Sequence, residues 1–304
     1  MNEYLISGLS RILPEDRILK NEPMSRHTTF RVGGCAACLI TPVSEEEVIR
    51  CIGYLRKADI PFFLMGNGSN LLVSDKGYDG VILQIGPKLE QIEVVGDRIT
   101  VSAGTAMVKV SRVAAEHSLT GLEFAAGIPG AVGGGVVMNA GAYDGDMSMV
   151  VEQVRVLNED GEILELNRDS MEFGYRKSAI MHRNFVVLSV TFKLEPGDQE
   201  QILAKMKDFN ERRRSKQPLE YPSAGSTFKR PEGYFAGKLI EDAGCKGYTV
   251  GGACVSEKHS GFVINKDEAT AKDIMTVICD VQKQVERKFD VKLVPEVITL
   301  GDFS

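Results

Sequence analysis

The 304-residue chain carries 36 Lys and Arg residues against 42 Asp and Glu residues, which gives a formal net charge of -6. Its 43% hydrophobic content predicts a chain that folds throughout, into two or three domains. The acidic balance argues against nucleic acid as a partner, and no apolar run approaches the roughly 20 residues that span a bilayer. Because the N-terminus lacks a basic and apolar leader, we expect a cytoplasmic protein without a membrane partner.

The first part of the chain predicts one helix and several short strands. Apolar residues recur at helical spacing over residues 45–58, and Ser44 with Glu47 three positions later matches a capping box. Short strands are predicted over residues 62–65, 71–73 and 81–85. This pattern indicates a first unit over residues 1–85.

The rest of the chain predicts mixed helices and strands. Hairpins are expected over residues 92–101 and 151–166, turning at Gly-Asp and Asp-Gly pairs, with a helix over 108–117 and a strand over 185–194. A helix over 200–215, a strand over 262–265, a long helix over 270–289 and a strand over 297–300 follow. We therefore expect a second unit over residues 86–205 and a third over residues 206–304.

The six cysteines include a Cys-x-x-Cys pair, Cys35 and Cys38. A zinc site needs a second closely spaced pair of ligands, and the remaining candidates are dispersed along the chain. Small buried thiols are therefore favoured over metal or redox chemistry, and no metal site is predicted.

Two stretches are rich in glycine. The first glycine segment, residues 66–72 (GNGSNLL), follows an apolar strand, and its glycines let backbone amides converge on an anion. It lacks the Gly-Lys-Ser/Thr of a P-loop and the third glycine of the dinucleotide motif, so a plain tight turn is the alternative. The second glycine segment, residues 127–143, predicts a close backbone approach to a ligand, because its apolar residues suit a flexible linker poorly.

Three further segments carry candidate chemistry. Arg176, within FGYRKS at residues 173–178, can bind a carboxylate or be an ordinary surface cation. Ser226, within SAGSTFK at residues 223–229, can donate a proton or stabilise a turn. Glu296 follows Pro295 near the C-terminus, where a solvated surface carboxylate is the default.

Taken together and in this order, the segments resemble one family, the UDP-N-acetylenolpyruvoylglucosamine reductases. The resemblance covers the chain end to end and includes HTTFRVGG (27–34), both glycine segments, FGYRKS, SAGSTFK, KGYTVGGACVSEKHSGFVIN (246–265) and PEV (295–297). It implies an α+β fold, with a two-part FAD-binding region of the vanillyl-alcohol-oxidase/PCMH type and a C-terminal α+β substrate-binding domain. The short spacing between Ser178 and Pro196 resembles the shorter subtype of the family.

The resemblance also implies the reaction. NADPH reduces FAD and leaves, and UDP-N-acetylglucosamine enolpyruvate then receives a hydride from the flavin N5 at its vinyl carbon, giving UDP-N-acetylmuramate for peptidoglycan synthesis. Arg176 and Glu296 match the residues that stabilise the enediolate, and Ser226 matches the proton donor. Two alternatives stay open: a flavin oxidase of the same superfamily and a flavin-binding protein without turnover.

The binding residues implied by the motifs fall into two groups. Those for FAD are Gly66, Asn67, Gly68, Ser69, Asn70, Leu71, Gly127, Ile128, Pro129, Gly130, Gly133, Gly134, Asn139 and Gly141. Those for the substrate are Tyr175, Arg213, Arg214, Lys229 and Arg230. The last of these stands where many members of the family that this chain resembles carry Asn. A monomer is expected.

Overall fold

The computed structural model describes residues 3–304, apart from the side chain of Glu3. The α-helices are α1 (Glu3–Leu9), α2 (Glu45–Lys57), α3 (Met107–Glu116), α4 (Val132–Val137), α5 (Gln199–Lys216), α6 (Ala236–Asp242) and α7 (Ala271–Phe289). The strands are β1 (Ile18–Pro23), β2 (Cys35–Ile40), β3 (Phe62–Met65), β4 (Leu71–Val73), β5 (Tyr78–Gln84), β6 (Ile92–Val95), β7 (Arg98–Ser102), β8 (Leu119–Thr120), β9 (Gly141–Ala142), β10 (Gly145–Asp146), β11 (Val151–Leu157), β12 (Ile163–Asn167), β13 (Val186–Lys193), β14 (Glu195–Pro196), β15 (Thr249–Val250), β16 (Ala253–Val255), β17 (Val263–Asn265) and β18 (Ile298–Leu300).

The chain forms two compact units, each built from several stretches of sequence. Unit 1 contains the residues up to 19 together with 39–67 and 82–213, and unit 2 contains residues 20–38, 68–81 and 214–304. The chain passes between the units within β1, β2, β5 and α5, and between β3 and β4. Each unit therefore combines segments that are distant in sequence, whereas the expected units over residues 1–85, 86–205 and 206–304 are continuous.

Unit 1 is built on an antiparallel five-stranded sheet of order β12-β11-β13-β7-β6. The two expected hairpins form its ends: β6 pairs with β7, and β11 pairs with β12. Alternate residues such as Ile99, Val101 and Val154 are buried. Helix α4 packs against β7 and β13, so the second glycine segment lies on this sheet.

Unit 2 is built around the long helix α7 and short strands. Strands β15, β16 and β17 form an antiparallel sheet, and β18 pairs with β4 in parallel. Helix α7 has one buried face. Its buried residues recur at helical spacing and include Ile274, Val277, Ile278, Val281 and Val285. The core of unit 2 therefore gathers residues from the start, the middle and the end of the chain.

Two helix starts show that local sequence predicts capping only in part. At α2, the Ser44 hydroxyl accepts from the amide of Glu47 at 3.2 Å, as predicted. The Glu47 carboxylate does not complete the box, because it accepts from Arg17 and from the amide of Val43 instead. A complete capping box forms at α7, between Thr270 and Asp273.

Candidate active site

The first glycine segment leaves polar groups available for a ligand. Within residues 3–304, the amides of Asn67, Gly68 and Ser69 donate to no protein acceptor, and Oδ1 of Asn67 is buried without a donor. Gly68 has φ +61°, and a Cβ there would lie 2.0 Å from the carbonyl oxygen of His27. Its own carbonyl accepts from the amide of Thr29 at 3.1 Å. A hydrogen bond from Thr29 thus fixes the segment, while three of its amides have no protein acceptor. Such free amides can bind the oxygens of a pyrophosphate.

The second glycine segment approaches the first within unit 1. A Cβ on Gly66 would lie 3.2 Å from Cβ of Ala131, so the glycine permits the close approach. Gly130 has φ +145°, a conformation that favours glycine, and its carbonyl accepts from the amide of Met107 at 3.0 Å. The two glycine segments are therefore in contact at Gly66 and Ala131.

The residues after Ala131 form the short helix α4, where the sequence pattern predicts a loop. Its run Val-Gly-Gly-Gly-Val-Val has low helix propensity, so tertiary contacts must stabilise it. Gly133 donates its amide to Ala103, and a Cβ on Gly133 would lie 2.9 Å from Cβ of that residue. Gly135 abuts the Met107 sulfur, whereas Gly134 is exposed, and a Cβ added to it would meet nothing within 4 Å. Only Gly134 of the three faces open space.

Two other predicted cofactor ligands have protein partners. Asn139 is buried, and its Nδ2 donates to the carbonyl of Gly174 at 3.1 Å and to Asp146 at 3.3 Å. Its Oδ1 accepts from the amide of Ser148 at 2.9 Å. Gly141 is required because a Cβ would lie 2.6 Å from that of Asp146. These residues, like Gly133, shape the segment through contacts inside the protein.

Arg176 lies in a tight turn within unit 1. The amides and carbonyls of Gly174 and Lys177 bond each other at 3.0 and 3.1 Å, which places Tyr175 and Arg176 at the tip. Arg176 has φ +51°, a left-handed conformation that is unusual for arginine and that clusters at functional sites. Its Cζ lies 5.4 Å from the centroid of the Tyr175 ring. The turn presents a half-buried guanidinium in a fixed backbone setting.

This turn is attached to the second glycine segment. The hydroxyl of Ser178, which is fully buried, donates to the carbonyl of Val137 at 2.7 Å. The bond from Asn139 to Gly174 provides a second attachment. Two segments that are separate in sequence are thereby joined, and the turn that contains Arg176 is attached to the C-terminal end of α4.

Ser226 and Glu296 come together in unit 2. Phe228 bridges Pro295 in antiparallel fashion, and the amide of Glu296 donates to the carbonyl of Thr227 at 2.8 Å. Thr227 is buried, and its hydroxyl accepts from the amide of Val263 at 2.9 Å. Ser226 itself is exposed. The predicted proton donor is therefore adjacent to a residue whose carbonyl bonds the predicted acid.

The candidate substrate cations differ in their surroundings. Arg213, on α5, is half-buried beside Gly127, with its Nη1 3.0 Å from a Cβ placed on that glycine. Burial lowers the pKa of Arg213, and Tyr143 opposes this. Arg214 is exposed, and the amide of Lys229 donates to Val294 at 2.8 Å.

Arg230 has a defined position in spite of its exposure. Its Cζ lies 3.9 Å from the centroid of the Phe235 ring, and its Nε donates to the carbonyl of Tyr234 at 3.2 Å. The guanidinium that replaces the Asn of many relatives is therefore stacked on an aromatic ring of its own loop.

The cysteines are all free thiols. Burial raises the pKa of Cys38 to about 11 and that of Cys51 to about 12, which makes both poor nucleophiles. Among the described residues, no group of three or more His, Cys, Asp or Glu side chains is placed to hold a metal ion. No helix in residues 3–304 is long and apolar enough to cross a membrane.

Sequence reasoning missed the side chains that support the site. Ser178 lies within FGYRKS and Thr227 within SAGSTFK, but neither is predicted to have a role. A signal was present in both, since each is a small hydroxyl residue close to a candidate catalytic residue. The stacking of Tyr143 on Phe209, with centroids 4.5 Å apart, had no such signal because the two lie far apart in sequence.

Comparisons with known proteins extend these observations. A model of FAD binding domains matches residues 36–167, and a model of the UDP-N-acetylenolpyruvoylglucosamine reductase C-terminal domain matches residues 217–300. The crystal structure of UDP-N-acetylenolpyruvylglucosamine reductase from Thermus caldophilus has a TM-score of 0.80 and 34% identity, over 93% of this chain and 98% of that one. Phl p 4.0202, a glucose dehydrogenase, has a TM-score of 0.51 at 14% identity over 65% of this chain and 45% of that one, a likeness of fold alone.

The FAD binding domain and the architecture define an FAD-dependent oxidoreductase with the expected α+β fold of the vanillyl-alcohol-oxidase/PCMH type. UDP-N-acetylenolpyruvoylglucosamine reductases from Caldanaerobacter subterraneus and Clostridium perfringens are each 51% identical to this chain. Both similarities cover 99% of this chain. They cover 100% of the Caldanaerobacter protein and 99% of the Clostridium protein. The chain belongs to the UDP-N-acetylenolpyruvoylglucosamine reductase family. This family uses FAD and NADPH in peptidoglycan precursor synthesis, and the predicted resemblance is confirmed.

Proposed function

We propose that this chain reduces UDP-N-acetylglucosamine enolpyruvate to UDP-N-acetylmuramate at the expense of NADPH, with Ser226, Arg176 and Glu296 as its catalytic residues. The proposal is supported by family membership and, above all, by one contact. The 2.8 Å main-chain bond from the Glu296 amide to the Thr227 carbonyl places Glu296 beside the residue that follows Ser226, although the two lie far apart in the sequence.

When bound, FAD would supply the hydride, taken from NADPH, that adds to the vinyl carbon of the substrate. The chain has to manage the negative charge that then develops on the neighbouring carbon and spreads into the carboxylate. Arg176 binds that carboxylate, since a guanidinium offers paired donors to its two oxygens. Its fixed turn lowers the cost of orienting the donors, which strengthens their effect in the transition state.

Ser226 delivers the proton that completes the lactyl ether. A serine hydroxyl is a weak acid, but a carbanionic carbon is a strongly basic acceptor, so the transfer is favourable. Glu296 stabilises the enediolate when its carboxyl group is neutralised by a proton.

FAD is held by amides and side chains of the two glycine segments. The open amides of Asn67, Gly68 and Ser69 support a role on the pyrophosphate, together with Gly66, Asn70 and Leu71. In the second segment, Gly127, Ile128, Pro129, Gly130 and Gly134 line the cofactor. The conformation of this segment is stabilised by the protein contacts of Gly133, Asn139 and Gly141.

The UDP part of the substrate is bound by the remaining cations. Arg213, Arg214, Lys229 and Arg230 meet the diphosphate, and Tyr175 contacts the substrate beside Arg176. The protein works as a cytoplasmic monomer, and its product serves cell-wall synthesis and hence cell shape, division and the cell cycle.

The experiment that tests the proposal measures the two half-reactions separately by anaerobic stopped-flow absorbance of the flavin. For Ser226→Ala, we expect reduction by NADPH to proceed normally, while reoxidation by UDP-N-acetylglucosamine enolpyruvate slows by about 10³-fold, the range of a lost general acid. Ser223→Ala, in the same turn, is the matched control and should leave both rates unchanged.

Two results would contradict the proposal. Equal slowing of both half-reactions would remove Ser226 from proton transfer. A flavin that binds but is not reoxidised by the enolpyruvyl sugar in the unmodified protein would indicate a flavin oxidase with another substrate or a binding protein without turnover.

A further inference from the structure

The peptide groups of Glu296 are held on both sides. Its amide donates to the Thr227 carbonyl at 2.8 Å, and its carbonyl accepts from Nδ2 of Asn70 at 3.0 Å. The first bond ties Glu296 to the segment that contains Ser226. The second ties it to the first glycine segment, 226 positions earlier in the chain. All of these contacts lie within unit 2.

Asn70 reaches the C-terminal strand with its backbone as well as its side chain. Its carbonyl accepts from the amide of Ile298 at 3.0 Å, so the two bonds lie on either side of Val297. Directly after Asn70, Leu71 begins the parallel pairing of β4 with β18. The Asn70 side chain thus adds one hydrogen bond to the pairing of β4 with β18, just beyond the first residue pair, Leu71 and Ile298.

The same segment is fixed at its other end. The carbonyl of Gly68 accepts from Thr29, and the positive φ of Gly68 sets the direction of the chain that leads to Asn70. The Nδ2 donor is therefore delivered by a short and well-defined loop, which limits how far Glu296 can move.

We propose that Asn70 is a positioning residue for Glu296, which acts by holding the glutamate carbonyl so that the carboxyl group keeps its working orientation. The inference rests on the proposed role of Glu296 in the second half-reaction. Catalytic groups need placement to within a fraction of an ångström, and small misplacements cost up to about 100-fold in rate. Because the acid acts only in the second half-reaction, loss of the Asn70 side chain slows reoxidation more than it slows reduction by NADPH.

The experiment compares Asn70→Ala and Asn70→Asp with Asn265→Ala, all assayed at saturating FAD. Asp keeps the shape of the side chain but loses the Nδ2 donor. Asn265 is a matched control, because its side chain also donates to a backbone carbonyl of unit 2, that of Phe30 at 3.1 Å. We expect both Asn70 variants to slow reoxidation by about 10- to 100-fold more than they slow reduction by NADPH, and the control to change neither.

Two further measurements separate positioning from general support. In the double variant Asn70→Ala/Glu296→Gln, reoxidation should be no more than about twofold slower than in Glu296→Gln alone, because Asn70 acts through the glutamate. In the apoprotein, amide hydrogen exchange at Glu296 and Ile298 should be faster in Asn70→Ala than in Asn265→Ala.

The outcomes distinguish this inference from the proposed function. Additive effects in the double variant, equal slowing of both half-reactions, or normal reoxidation once FAD is saturating would overturn the role of Asn70. Normal turnover of Glu296→Gln alone would instead remove Glu296 from the mechanism, and the positioning inference with it.

Discussion

The two glycine segments use glycine for different purposes. In residues 66–72, Gly68 sets a left-handed turn and the neighbouring amides are left without protein acceptors. In residues 127–143, Gly133 and Gly135 instead make room for close packing on Ala103 and Met107. Glycine density therefore does not identify cofactor contacts by itself. What distinguishes a ligand-facing glycine is an open amide or open space, and that can be tested residue by residue.

The largest effect is expected in the first segment, for Gly68→Ala. The new Cβ would lie 2.0 Å from the carbonyl oxygen of His27, which is backbone and cannot rotate away, and alanine is strained at φ +61°. We expect a loss of at least about 3 kcal/mol in the free energy of unfolding, together with loss of bound FAD. Urea unfolding of the apoprotein and the visible absorbance of the purified protein measure the two effects.

Gly96→Ala is the control for Gly68→Ala. It has nearly the same conformation, φ +62°, but nothing within 4 Å of the added Cβ. It should cost only about 1 kcal/mol and retain FAD. If the two variants lose equal stability, the close approach to His27 does not matter and the contrast between the segments fails.

The second-largest effect is expected in the second glycine segment, for Asn139→Ala. It tests whether a polar side chain of this segment stabilises the folded protein. Asn139→Ala removes three hydrogen bonds and leaves the Gly174 carbonyl and the Ser148 amide without this partner. We expect a loss of about 2–4 kcal/mol by urea unfolding, and a higher KM for the enolpyruvyl substrate because the turn that carries Arg176 is loosened.

Asn167→Ala is the matched control, since its side chain bonds Ser170 at an exposed turn. It should cost less than about 1 kcal/mol and leave KM unchanged. A normal KM in Asn139→Ala would show that the attachment to Gly174 does not set the position of Arg176.

Sequence predicted the fold well where periodicity is strong and poorly where tertiary contacts decide. The helices over α2, α3, α5 and α7 and the two hairpins lie within a few residues of their expected positions. Helix α4 was missed because Val-Gly-Gly-Gly-Val-Val disfavours helix in isolation and is stabilised by its packing on the sheet of unit 1. The grouping of the chain into two discontinuous units depends on long-range contacts, which no local pattern contains.

The site divides along similar lines. Arg176, Ser226 and Glu296 were selected by motif, and the pairing of Thr227 with Glu296 gives two of them a shared setting that no local pattern contains. Asn139 and Gly133 were expected to face a cofactor because they occur in a motif. Their contacts with Gly174 and Ala103 depend on distant residues, so no local pattern could predict them.

The smallest change in stability is expected for Gly134→Ala. This variant also tests most directly whether the second glycine segment contains a glycine that faces the ligand. A Cβ at this exposed position meets nothing within 4 Å, and alanine favours helix, so the apoprotein should gain about 0.5–1 kcal/mol. If FAD approaches the backbone there, the same methyl group must weaken its binding. Gly53→Ala in α2 has equally open surroundings away from both segments and should gain the same stability without affecting FAD. Titration of the two apoproteins with FAD measures this effect. A Kd that rises about tenfold or more in Gly134→Ala alone would identify a glycine that faces FAD. Equal Kd values would show that the second segment does not contact FAD at this position.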